Sequence, residues 1–240
     1  MAKLKSLIKL EGTLDGLTFY KTKDGYLVRT KGGISKKRMA TDPAFARTRE
    51  NGSEFGHCAK MGKVLRKAML TLLSDAKEGS TSTRIMQTLS RVKNTDATSV
   101  RGQRNVAVGL ATLEGKALLK GFDFNTNAPL NTVLLADYAL NTATGEVTIT
   151  DFIPGQQLAI PGGATHVRLS VGFMNIDFSA DTKDLQLSNT VELPINNTTT
   201  AVVLTPTAVP AGTGNNIYFL KIAYFQDING FKYPLNNGGF

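Results

Sequence analysis

The side chains able to do chemistry are few. Across 240 residues there are two histidines, His57 and His166, and one cysteine, Cys58. A hydrolytic centre needs a nucleophile, a base and usually an orienting group, and a metal centre needs three or four ligands. His57 and Cys58 are adjacent, so on a helix their side chains diverge by about 100° and do not face each other. His166 opens a strand-like run far along the chain. Asp177, Asp181 and Asp184 are spaced without the alternating ligands and closing bidentate Glu of a calcium loop, and read as a solvated loop. Neither of the glycine-rich phosphate-cradling patterns occurs. The expectation is a protein with no catalytic residues, no metal and no cofactor. Cys58, unable to pair within the chain, fits a reducing compartment and the role of a small packed hydrophobe.

Charge is the chemistry that is abundant. Residues 1–120 hold 24 Lys plus Arg against 10 Asp plus Glu, while residues 121–240 hold 4 against 9. A change of sign on this scale assigns the two halves different surroundings: the basic half meets a polyanion or an acidic protein surface, including the other half of a neighbouring copy. The candidate contact residues are Lys21, Lys23, Arg29, Lys31, Lys36, Lys37, Arg38, Arg47, Arg49, Lys60, Lys63 and Lys67. Phosphate tracking needs adaptable point charges, and the nearby Phe19, Tyr20 and Tyr26 could stack on bases or fill a hairpin core. No zinc-finger spacing, RNA-binding aromatic signature or helix-turn-helix pattern accompanies them. Binding through them is expected to be electrostatic and weakly selective.

Several elements must position these charges. Leu7 to Leu10 has the character of a short strand. LTFYKTK and YLVRT, separated by Asp24-Gly25, predict a hairpin, and KGGISKKR after it reads as a basic, mobile loop. Asp42 followed by Pro43 is a helix start. Phe55, Ala59, Val64, Leu65, Ala68, Met69, Leu72 and Leu73 recur at three- and four-residue intervals and predict one buried stripe. Gly52, Gly56 and Gly62 either split this region, with the better helix running from about Glu54 to Ala76, or admit a close neighbour. EGSTS then predicts a break and a cap. A second amphipathic helix follows, with Ile85, Met86, Leu89 and Val92 inward and Arg84, Arg91 and Lys93 outward. Residues 104–120 fit helix or strand. Beyond Phe122, strand-like runs at Val133–Leu140, Glu146–Phe152, Gln157–Ile160, His166–Phe178, Leu185–Ile195, Thr199–Thr205 and Ile217–Ile228 alternate with turn-rich clusters. That is the pattern of an antiparallel sandwich, and Asn229-Gly230 predicts a closing hairpin.

The fold class expected is therefore α+β: a basic hairpin-plus-helical region over 1–120 and an Ig-like β-sandwich over 121–240. No apolar run reaches the roughly 18 to 20 residues that span a bilayer, and the first residues lack an apolar block of signal-peptide length. The expected location is the compartment of synthesis or a particle.

The segment GTLDGLTFYKTKDGYLVRTKGGISKKRMATDPAFARTRENGSEFG resembles a group of uncharacterised bacterial proteins that recur in Bacteroidetes-type genomes and prophage-like regions. The matching positions are Gly12, Gly16, Gly25, Arg29, Pro43, Arg47, Arg49 and Phe55, and TSVRGQRNV, GFDFN and the closing aromatic strand look like the same group. The resemblance brings no enzymatic site with it. It favours a structural component of a phage or mobile element, self-associating and touching DNA or acidic neighbouring subunits through its basic half. The alternative is a cellular, non-specific nucleic-acid-binding protein with a sandwich that contacts a partner. A ligand- or glycan-binding sandwich rests on fold analogy alone.

Overall fold

The computed structural model describes residues 2–4, 8–30, 33–73 and 78–235. Helix and strand take near-equal shares, 30% and 33%, and every strand pair is antiparallel, which makes the chain α+β. Two compact units divide at Asn51 and Gly52; the change of charge sign, at residue 120, falls well inside the second.

The first unit holds a four-stranded sheet of β1 (Ala2–Lys3), β2 (Gly12–Leu14), β3 (Leu17–Thr22) and β4 (Gly25–Thr30), in the order β1-β4-β3-β2. The hairpin forms as expected, but its register pairs Thr22 with Gly25, so the two turn residues are Lys23 and Asp24. Gly25, at φ 114°, is the position that needs glycine. Leu7 lies outside the described residues, and Ile8 to Leu10 are not strand; pairing resumes at Gly12. The basic loop is replaced in part by helix α1 (Lys36–Thr41), because Ser35 caps it by accepting from the Arg38 N–H at 3.2 Å. Asp42 then accepts from the Ala44 N–H at 2.9 Å and opens a short 3₁₀ turn, Pro43–Phe45.

Helix α2 (Ala46–Ala68) follows without a break. The three glycines do not split it. Gly52 and Gly56 face open space, and only Gly62 admits a neighbour: a Cβ there would sit 3.3 Å from Ile85 Cγ2. The buried stripe is turned from the expected one, consisting of Glu54, Cys58, Met61, Gly62 and Leu65, with Phe55 and Ala59 outside it and Phe55 56% exposed. The polar Glu54, invisible to an apolar periodicity, explains the shift. The helix stops at Ala68 and α3 (Leu70–Leu73) follows; the expected end, Ala76, lies outside the described residues.

Helix α4 (Thr81–Asn94) buries Ile85, Leu89 and Val92 as its spacing requires, but Lys93, expected outside, is buried too. The undecided segment is helical: α5 (Val106–Ala111), capped by Asn105, and α6 (Leu113–Leu119), capped by Thr112. The backbone of α5 meets α4 at Gly109 and that of α6 meets α5 at Gly115, where any side chain would run into the Val92 and Gly109 carbonyls respectively. The run 133–140 is mostly not strand, carrying the end of α7 (Leu130–Val133) and the two-residue β5 (Ala139–Leu140). Residues 157–160 make a single bridge, Leu158 to Leu134.

The remaining strands are β6 (Val147–Phe152), β7 (His166–Asp177), β8 (Thr182–Leu187), β9 (Val191–Pro194), β10 (Thr200–Leu204), β11 (Asn215–Ile228) and β12 (Phe231–Pro234). The run 185–195 is thus two strands, laid successively along one edge of β7. One sheet has the order β10-β6-β5, the other β12-β11-β7-β8 with β9 on β7. Asn229 and Gly230, at φ 54° and 81°, make the predicted tight turn between β11 and β12.

Two cores result. Val167, Leu169 and Val171 of β7 and Tyr224 of β11 pack with Val147, Ile149 and Phe152 of β6 and Val202 and Leu204 of β10. Met174 and Ile176, on the opposite face of β7, pack with α2, α4 and α5 through Leu65, Leu89 and Leu110. The helices after residue 52 therefore share a core with the strands after 121.

Candidate functional site

The predicted basic residues fall into two groups. In the first unit, Lys21, Lys23, Arg29, Lys36, Lys37, Arg38, Arg47 and Arg49 are all exposed; Lys31 lies outside the described residues. Register separates the hairpin cations: Arg29 shares a face with Thr18 and Tyr20, Lys21 with Phe19 and Val28. Both approach aromatic rings, with Arg29 5.4 Å from the Tyr20 centroid and Lys21 5.9 Å from that of Tyr26. These aromatics are half-buried beside their own cations, a poor platform for a stacked base.

Two arginines build the fold. Arg49 donates to the carbonyls of Met39 and Asp42, both at 2.9 Å, tying off the end of α1. Arg38 donates from Nε to Asp42 Oδ2 at 3.0 Å. The Ala44 N–H and then Arg38 hold the Asp42 carboxyl below its ordinary range. Lys23, Lys36, Lys37 and Arg47 have no such partner recorded among the described residues and are the adaptable charges. In the second unit, Lys60, Lys63 and Lys67 recur at three and four residues along α2, forming one exposed stripe.

The titratable groups that the structure does gather are structural. Glu54, 2% exposed, accepts from Arg104 Nε and Nη2, each at 2.9 Å, from the Gly102 N–H at 2.8 Å, and from Lys93 Nζ. The Arg104 guanidinium, helped by Lys93 and Gly102 against the opposing effect of burial, holds the Glu54 carboxyl down at about 2. Asp96 is buried nearby. Although burial alone would raise its pKa, bonds from Ser99, Asn105 and Thr98 hold it well below the carboxylate range. His57 Nε2 accepts the Val106 N–H at 3.0 Å, so the ring is neutral, and burial lowers its pKa. It works as a cap for α5, as a core-edge residue should. Among the described residues no group of His, Cys, Asp or Glu could hold a metal. The Asp177 carboxylate accepts from the N–H groups of Ser179 and Ala180, organising its own turn. Residue spacing gave no warning of the Glu54 cluster; the one available signal was Asn105, a helix cap directly before an apolar run.

The second unit also contains a cleft of about 1250 Å³, which the sequence does not announce. Leu65, Met69 and Leu72 border it on the helical side. The GFDF run supplies aromatic wall: Phe122 meets Phe124 edge-on at 5.0 Å, and Phe124 meets Phe219 at 6.0 Å. Every residue of β11 from Asn215 to Phe225 lines it, odd and even alike. Successive strand residues point to opposite faces, so a cavity touching both sets follows the edge of the strand. Register agrees: β7 pairs with β11 over residues 215–225, but β12 reaches only 225–228. Among the described residues no strand takes the other edge over 215–220. Lys116 and Lys120, both exposed, also border the cleft.

Among the described residues no helix is long and apolar enough to cross a membrane. Comparison with protein-family models, with curated proteins and with solved structures finds no match.

Proposed function

We propose that the chain is a non-enzymatic structural or assembly protein, of the kind found in virions or mobile elements. It self-associates and contacts acidic surfaces of neighbouring copies, or DNA, through its basic N-terminal region. In the same reading the two sheets that pack on each other through Val171, Ile149 and Val202 form an Ig-like sandwich serving as the stable module. One observation carries this: among the described residues of the first unit, none is buried. Leu14, Leu17, Phe19, Tyr26 and Val28 share one face of its sheet by register, yet all are half-buried or exposed. A unit of this size without a core gains little stability from its own packing. Its 12 Lys plus Arg against 5 Asp plus Glu favour an acidic counterpart.

Light scattering on the full chain at about 50 and about 500 mM salt, with and without a mixed-sequence duplex, tests the reading. A defined oligomer persisting at high salt without DNA is expected. A monomer that binds duplex only at low salt would instead establish the nucleic-acid-binding alternative, and a monomer indifferent to both conditions would overturn the proposal.

A further inference from the structure

Among the described residues β11 has no strand on its outer edge over 215–220, an unusual thing for a β protein to leave beside an apolar cavity. Unpaired N–H and C=O groups along a strand template the addition of another strand, and native sheets generally cover or interrupt such edges. Here the edge over 215–220 is accompanied by a cleft large enough for a segment of chain and walled by Leu, Met and Phe side chains. Backbone pairing at the edge and apolar pockets on both sides are the two components of recognition by strand addition.

The chain also carries a segment suited to that site. From Ile8 to Leu14 the sequence alternates Ile8, Leu10, Gly12, Leu14 with Lys9, Glu11, Thr13, a strict period of two. Its large apolar members are all exposed: Ile8 68%, Leu10 44% and Leu14 62%. β2, at its end, is an outer strand of its sheet, with β3 on one side. Glu11 is the acidic residue in the stretch, and Lys116 and Lys120 border the cleft. We infer that the open edge of β11 is filled by the Ile8–Leu14 segment of a second copy, adding a strand to its sheet, with Glu11 facing the two lysines. The contact is head-to-tail, and repetition of it builds a ring or a filament. It rests on the self-assembly reading above and specifies the contact.

The test uses full-length chains, with the fully buried Cys58 left in place. Chains carrying Leu10→Cys are mixed under mild oxidation with chains carrying Asn216→Cys, Tyr218→Cys or Leu220→Cys, on the face of β11 opposite the two lysines, and the products are separated without reductant. A cross-linked dimer with at least one of the three is expected, and none with Leu187→Cys on the far edge of the sheet. In parallel, Leu10→Asp should weaken self-association at least about tenfold, the consequence of failing to bury one leucine. Oligomers that persist with no cross-link at any of the three positions would sink the contact while leaving assembly intact. A disulfide that forms within single chains carrying Leu10→Cys and Asn216→Cys at high dilution would show that the segment is not exchanged between copies. An unsubstituted chain that stays monomeric at every concentration would remove both this contact and the assembly reading.

Discussion

Replacing Glu54 by Gln removes one negative charge from a site where two cations depend on it. Arg104 gives Glu54 two bonds at 2.9 Å, Gly102 gives one at 2.8 Å, and Lys93 gives another. Lys93 is 7% exposed and would keep only the Asn94 Oδ1 contact at 2.9 Å. Losing one partner of a buried ion pair costs about 3–5 kcal/mol. Because the Arg104 side chain is 26% exposed and can turn part of its charge to water, the lower end, about 3 kcal/mol, is expected here. Urea unfolding followed by circular dichroism at pH 7 and 25 °C reads this as a lower midpoint at unchanged slope. The pH dependence supplies a second check. The carboxyl sits at about 2 in the folded chain against an ordinary 4.5, so the unfolded chain binds the extra proton between those values. The stabilisation is complete above about 4.5 and disappears as pH falls toward 2, so Glu54→Gln should flatten that part of the profile. Asp96 and Glu78, also held low, supply the slope that remains. A loss below about 1 kcal/mol, or identical acid profiles for the two proteins, would refute the assignment of Glu54 as the centre of the cluster.

Two further substitutions probe the helices. His57→Phe leaves the Val106 N–H without its acceptor and should cost about 1–3 kcal/mol in the same unfolding assay. Because the folded pKa of His57 lies below 6.5, its contribution is present above that pH and is lost as pH falls beneath it, so the variant should lack this decline. Gly56→Ala adds a methyl to open space in the middle of α2 and should stabilise by about 1 kcal/mol, visible as a higher melting temperature; a lower one would show that the site is not open.

The sequence made the local structure readable wherever one short-range cause decides it. Asp42-Pro43 starts a helix because a carboxylate can take the open N–H groups, and Asn229-Gly230 turns because both residues tolerate positive φ. The long strands over 147–152, 166–177, 200–204 and 215–228 appear where alternation and β-branched residues placed them. Failures came where distant groups decide. The stripe of α2 was misplaced because Glu54 is buried by Arg104, fifty residues away. Lys93 was assigned to solvent because its partner lies on another helix. The described members of the twelve candidate contact residues are exposed, but Arg38 and Arg49 bind their own backbone and capping groups, which spacing does not reveal. That the described strands pair with the outer edge of β11 over 225–228 but not over 215–220 was beyond reach, since register decides it and spacing does not.

β7 gives alternate side chains to two different cores: Val167, Leu169 and Val171 to one, Met174 and Ile176 to the other. Neither core can melt while that strand keeps its shape, so the helices and both sheets of the second unit should lose structure in one cooperative step. Its central amides should then exchange with solvent only through global opening, and a cut near residue 120 would leave the sheet-on-sheet interior whole in the C-terminal fragment while dividing the helix-on-sheet interior between the two.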